Sequence, residues 1–326
     1  MPLCKFILIF LFMFTNSNLF SFEEGTATNN GVSIYYRDYG PVDAEQILLV
    51  QGLGGQLINW TQHLIQFLID NNFRPIVYDN RDTGLSSRIQ SDKFDDDKRT
   101  NTIFKSYIRY YLRLPIESEY TIDDMADDAI SVLDELNIEN AHILGISMGG
   151  MIAQIIASNY SERTKTFTLI ASTASTPSPF NGPTRKVRKL LMERTNNPNS
   201  SVDERVNRTR RIFSEIGYQG IDLNTDEFYN DISSSIERGG KDDTGFGRQL
   251  TAILGSENRL DKVKAIKAQT LIIHGKEDPL IRVKNAYKTK KLIDNSKLII
   301  ISDMRHLIEI PVFDQFKNEL LKHLNS

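Results

Sequence analysis

The sequence predicts an α/β fold: a mostly parallel sheet covered by helices on both faces, with one inserted helical cap. Three observations predict it. Short continuous apolar runs recur, such as Ile47–Val50 and Thr270–Ile273, as expected of strands buried on both faces. Segments with helical spacing separate them, and strands alternating with helices imply parallel pairing. From about residue 174 to 247 the alternation stops. That stretch carries Pro177, Pro179, Pro183 and Pro198 but no convincing strand.

The elements follow in order. Val32–Tyr39 alternates behind Asn30-Gly31, a hairpin turn signal, so an antiparallel pair opens the domain. Ile47–Val50 is the next strand, and Ile58 to Asn71 has helical spacing. Pro75–Asp79 is a strand. Ile122 to Leu136 is a helix whose first turn holds Asp123 and Asp124, which suits its positive end. Ala141–Leu144 reads as a buried strand, Met151–Ala157 as a helix and Thr166–Ile170 as a strand. Beyond the interruption come strands at Thr270–Ile273 and Lys297–Ile301, then a helix over Pro311 to Leu324. The core is therefore expected at 22–173 and 248–326, with the cap at 174–247.

The 326 residues suffice for one large domain with an insertion. Apolar and charged fractions are ordinary, and a net charge of −3 suggests no nucleic-acid partner. The N-terminus differs from the rest. Lys5, the apolar run Phe6–Phe14 and polar Thr15–Asn18 have the layout of a signal peptide, taken as residues 1–21. The expectation is export, periplasmic or secreted, after cleavage; the alternative is an uncleaved membrane anchor. Cys4 is the sole cysteine. A chain starting near residue 22 has no disulfide, no thiol nucleophile and no cysteine metal site.

Chemistry enters at Gly145-Ile146-Ser147-Met148-Gly149, where an apolar strand meets an amphipathic helix. G-x-S-x-G alone is unspecific. At a strand-to-helix turn it forms a nucleophile elbow, tight enough to strain the serine backbone. Gly145 and Gly149 remove Cβ atoms that would strike the neighbouring strand and helix. A serine hydroxyl then needs a base, and the base needs an orienting group. On this architecture they follow in the order serine, acid, histidine, at carboxyl ends of strands. Three histidines follow Ser147. His274 lies in a strand end before every plausible acid, and His323 lies in the last helix. His306 follows the strand ending at Ile301, so it is the candidate base.

Glu277 and Asp278 both qualify chemically as the acid. Asp278 precedes Pro279, which favours an extended backbone. Asp303 is too near His306 along one tight turn. An oxyanion needs two donors. The Met148 N–H opens the elbow helix, and the Leu53 N–H lies in the loop Gln51–Gly55, where Gly52 lets the backbone approach a ligand. No metal or organic cofactor is required.

Several stretches now carry a resemblance: Gln51–Gln56 with Trp60, Tyr78–Ser87, Tyr120–Ala129, the elbow, and His274–Leu280. In this order they closely resemble the α/β-hydrolase superfamily. Within it the chain looks most like the bacterial serine esterase branch that includes aclacinomycin methylesterase. The resemblance covers nearly everything after residue 25. It implies hydrolysis of carboxylic esters by a triad of Ser147, Asp278 and His306, and it is the main ground for Asp278 over Glu277. The sequence departs from the family pattern twice. Gln51 stands where many members have histidine, and Asp303-Met304-Arg305 replaces a glycine-rich turn before the base. The loop from Asp79 to Ser87 reads as structural.

The expected partner is a small, partly hydrophobic ester, with no stable protein partner. The same triad also serves lactone, thioester, peptide or carbon–carbon cleavage and perhydrolysis. A protein that keeps the fold only to bind a small hydrophobic ligand is the non-enzyme alternative. The cap's basic cluster (Arg185, Lys186, Arg188, Lys189, Arg194, Arg205, Arg208, Arg210, Arg211) reads as the solvated face of two helices, the alternative being attraction of anionic substrates or membrane lipids. Its aromatics, Phe213, Tyr218, Phe228, Tyr229 and Phe246, either line an acyl pocket or pack the cap onto the sheet.

Overall fold

A computed structural model of the chain describes residues 21–90, 105–176, 182–196, 200–240 and 244–326. Eight strands form one sheet: β1 (Phe22–Asn29), β2 (Val32–Tyr39), β3 (Glu45–Val50), β4 (Phe73–Tyr78), β5 (Ala141–Ile146), β6 (Thr164–Ile170), β7 (Gln269–Gly275) and β8 (Ser296–Ile301). Their order across the sheet is β1-β2-β4-β3-β5-β6-β7-β8. β1 and β2 pair antiparallel, as do β2 and β4. All later pairs are parallel. The opening hairpin turns at Asn30 (φ 47°) and Gly31 (φ 81°), the two left-handed residues that a tight hairpin needs.

Both faces of the parallel strands are covered. Alternate residues of β3 divide between them: Leu48 and Val50 face one apolar cluster, Ile47 and Leu49 the other. The first cluster packs under helices Ile122–Glu135 and Met148–Asn159. The second packs under helices Gln62–Asp70 and Ile310–Leu324. This two-sided burial explains why the strands read as unbroken apolar runs.

One boundary differs from the expected helix at Ile58–Asn71. A 3-10 turn at Leu57–Asn59 precedes an extended Trp60, and the helix proper begins at Gln62. The Thr61 hydroxyl accepts the Leu64 N–H and so starts a separate helix. The next predicted helix start has a capping box, with Thr121 and Asp124 exchanging side-chain and backbone bonds.

Between β6 and β7 the described residues hold helices and no strand: Arg185–Asn196, Val202–Ile216, Asp226–Arg238, Thr244–Gly255 and Leu260–Lys264. Helix Thr244–Gly255 runs across position 247, the expected end of the insertion. The basic cluster is largely paired within the protein. Lys186 meets Glu215, Arg211 meets Glu193, and Arg210 donates to the Leu223 carbonyl. Helix Asp226–Arg238 is clasped to the loops after β3 and β4: Arg238 bonds Asp79 at 2.7 Å and Gln56 at 2.8 Å. Pro177, Pro179 and Pro198, and all of the expected signal peptide but Ser21, lie outside the described residues. Among the described residues no helix is long and apolar enough to cross a membrane.

Candidate active site

Three strand ends converge. β5 delivers Ser147, the loop after β7 delivers Asp278 and the loop after β8 delivers His306. Ser147 has φ 56° and ψ −119°, a region that costs an L-residue about 1–3 kcal/mol. The surroundings over-determine it. Its N–H donates to the Ile170 carbonyl at 3.0 Å, and its carbonyl accepts the Ser172 hydroxyl at 2.7 Å. Crowding accounts for the two elbow glycines: a Cβ on Gly149 would overlap the Val50 carbonyl, and one on Gly145 would overlap the Gly149 carbonyl.

The three side chains form one relay. The Ser147 hydroxyl lies 3.0 Å from Nε2 of His306, and His306 Nδ1 lies 2.7 Å from Oδ2 of Asp278. A neutral ring with its proton on Nδ1 satisfies both bonds, leaving Nε2 free to take the serine proton. Asp278 is 5% exposed. Its other oxygen, Oδ1, accepts the N–H groups of Leu280 and Ile281, each at 2.8 Å. The two rival acids are elsewhere: Glu277 is exposed, and Asp303 is exposed and bonded to Gln315.

His274 sits below the acid. Its Nε2 donates to the Ile281 carbonyl at 2.6 Å and lies 3.5 Å from Asp278 Oδ2. Burial pushes the His274 imidazole down against the pull of Asp278. His323 donates to the Phe167 carbonyl, and its burial pushes it down to about 4. Neither reaches the serine.

The predicted oxyanion loop lies against the elbow. A Cβ on Gly52 would come within 3.2 Å of the Ser147 Cβ, a tight contact that glycine avoids. Neither the Leu53 nor the Met148 N–H donates to a protein acceptor among the described residues. Gln51 supports the loop from within, its Oε1 accepting the Gly52 N–H at 3.0 Å. The Asn80 amide donates to the Gln51 carbonyl at 3.1 Å. Gln249, which sequence reasoning missed, is fully buried beside this loop. It accepts the Gly54 N–H and donates to the Arg81 carbonyl, both at 2.8 Å. No local signal marks Gln249, because its partner lies 195 residues away.

The Asp79–Ser87 loop is tied down rather than presented. Asp79 accepts the Leu57 and Leu85 N–H groups, Arg81 pairs with Asp128, and Asp82 pairs with Arg248 and accepts the Tyr120 hydroxyl. Of the cap aromatics, Phe246 is buried beside Gly54, with the Arg194 guanidinium 4.1 Å from its ring centroid. Phe213 and Phe228 pack on each other, and Tyr229 bonds Asp203.

A family model described as alpha/beta hydrolase fold matches residues 46–310. Rhodomycin D methylesterase DnrP of Streptomyces peucetius is 23% identical over 315 residues, 92% of this chain and 97% of its own length. A 3-oxoadipate enol-lactonase of Acinetobacter baylyi is 29% identical over 157 residues, 48% of this chain and 47% of its own. Among solved structures, a meta-cleavage product hydrolase from Pseudomonas fluorescens superposes with a TM-score of 0.69. It is 23% identical and covers 92% of this chain and 97% of its own, a likeness of fold.

Proposed function

Because this chain belongs to the α/β-hydrolase fold family, we propose that it is a serine hydrolase cleaving carboxylic esters through an acyl-enzyme. The observation that carries this reading is the relay from the Ser147 hydroxyl through His306 to Asp278, at 3.0 and 2.7 Å. As an ester carbonyl is attacked, Nε2 of His306 takes the serine proton and Asp278 stabilises the resulting imidazolium. The N–H groups of Leu53 and Met148 receive the developing oxyanion. His306 returns the proton to the departing alkoxide, then activates a water that releases the acid.

The substrate is a small, partly hydrophobic ester. Support comes from buried Phe246 beside the oxyanion loop and from a relative named as a methylesterase. A lactone is an internal ester and needs the same steps; the relative named as an enol-lactonase favours it as second reading. Purified protein assayed on p-nitrophenyl esters of rising acyl length should turn over short to medium chains with a clear optimum. No turnover of any ester or lactone, with a hydrophobic ligand still bound, would favour a binding protein instead.

We further propose export. The apolar run behind Lys5 has the length of a cleaved leader. N-terminal mass spectrometry of native protein outside the cytoplasm should find a chain lacking Cys4. A mature soluble product retaining Met1 to Phe14 would contradict it.

A further inference from the structure

The core alone does not hold the base. The carboxyl end of cap helix Val202–Ile216 abuts the segment that carries His306. The His306 N–H donates to the Ile216 carbonyl at 2.8 Å. The Arg305 guanidinium donates to the Glu215 carbonyl at 2.7 Å. In the opposite direction, the Tyr218 N–H donates to Oε1 of Glu309 at 2.9 Å.

These contacts have a physical logic. A helix leaves the carbonyls of its last turn without intrahelical donors. Here the segment around the base supplies donors to two of them. The negative end of the helix dipole also meets the Arg305 cation. Gly217 permits the close approach, since a Cβ there would lie 2.5 Å from Glu309 Oε1 and 2.8 Å from the Phe213 carbonyl oxygen. Apolar contacts close the joint. Leu307, next to the base, and Leu280, near the acid, pack on the cap cluster of Val187, Leu190, Ile212 and Ile216.

We propose that Arg305 and Glu309 are positioning residues that keep His306 aligned with Ser147 by fastening its segment to cap residues 215–218. The proposal rests on the serine hydrolase reading and makes the cap part of the mounting of the base. Burial pushes the Glu309 carboxyl up, opposed by the N–H groups of Tyr218 and of Glu309 itself. Its Oε2 is buried without a hydrogen-bond partner among the described residues. Burying an unpaired carboxylate oxygen costs stability, so an amide, which keeps an acceptor for Tyr218, is the informative replacement.

The test compares wild type, Arg305→Met, Glu309→Ala and Glu309→Gln on one chromogenic ester. It adds the downfield proton resonance of the His306–Asp278 hydrogen bond. Arg305→Met and Glu309→Ala should lower kcat on the order of 10- to 100-fold, as for a small misplacement of a reacting group. KM should change little, and the resonance should shift or broaden. Glu309→Gln should restore both kcat and resonance. A change in KM alone, or unchanged kcat and resonance in both disruptive variants, would overturn the proposal. Should Glu309→Ala fail to fold, Arg305→Met and Glu309→Gln decide by the same readouts. Labelling each protein with a fluorophosphonate separates the two levels. A wild type unlabelled at Ser147 removes the hydrolase reading and this proposal with it. A labelled wild type with indifferent variants removes this proposal alone.

Discussion

Ser147→Ala and His306→Ala should each lower kcat on a chromogenic ester by about 10⁶-fold, the scale for groups that act as one unit. In the proposed mechanism the serine oxygen forms the acyl bond, and Nε2 of His306, 3.0 Å away, is the acceptor that makes it nucleophilic. Removing either leaves the same dead relay, so the double variant should be no slower than the single ones. KM should move little, because neither side chain supplies much ground-state binding. The measurement is steady-state kinetics of four proteins at matched concentration. A single variant keeping a tenth of wild-type turnover, or losses that multiply in the double variant, would contradict the roles assigned.

Asp278→Asn should cost about 10⁴-fold in kcat, and Glu277→Gln should leave turnover near wild type. The asymmetry follows from the two oxygens of Asp278. Oδ1 holds two backbone N–H groups, at Leu280 and Ile281. An asparagine keeps its carbonyl oxygen there, which turns its NH₂ toward His306. The ring must then accept at Nδ1 and carry its proton on Nε2, where it cannot take the serine proton. Glu277 is exposed, and the ring's Nδ1 bonds Asp278 instead. Turnover of one ester by the three proteins decides the matter. An active Asp278→Asn with a dead Glu277→Gln would move the acid by one residue and leave the serine in place.

Much of the fold was legible because burial on both faces leaves a plain mark. β3, β5 and β7 carry short apolar runs, since successive residues such as Leu48 and Leu49 enter different cores. The elbow was legible because its glycines answer to hard contacts with Val50 and Gly149. The acid was legible only through the family resemblance, because Glu277 and Asp278 are neighbours of like chemistry, and a backbone turn decides which of them points inward. Thr61 also hid a boundary: its capping bond starts a new helix inside a stretch with continuous helical spacing.

What the sequence left dark is long-range. Gln249 finds Gly54, Arg248 finds Asp82 and Arg305 finds Glu215 across 195, 166 and 90 residues. No periodicity or local motif encodes such pairs, and each belongs to the mounting of the site rather than its reacting atoms. Of the two departures from the family pattern, only Arg305, which reaches the cap, falls in this class; the Gln51 side chain bonds its neighbour Gly52.

On the proposed mechanism Ser147 is an activated nucleophile. A fluorophosphonate reacts with such a hydroxyl and not with ordinary serines, and peptide mapping by mass spectrometry locates the adduct. The expected result is one modified residue, Ser147, in wild type, with labelling abolished in His306→Ala although the serine remains. Equal labelling of wild type and Ser147→Ala, or full labelling of His306→Ala, would contradict the account.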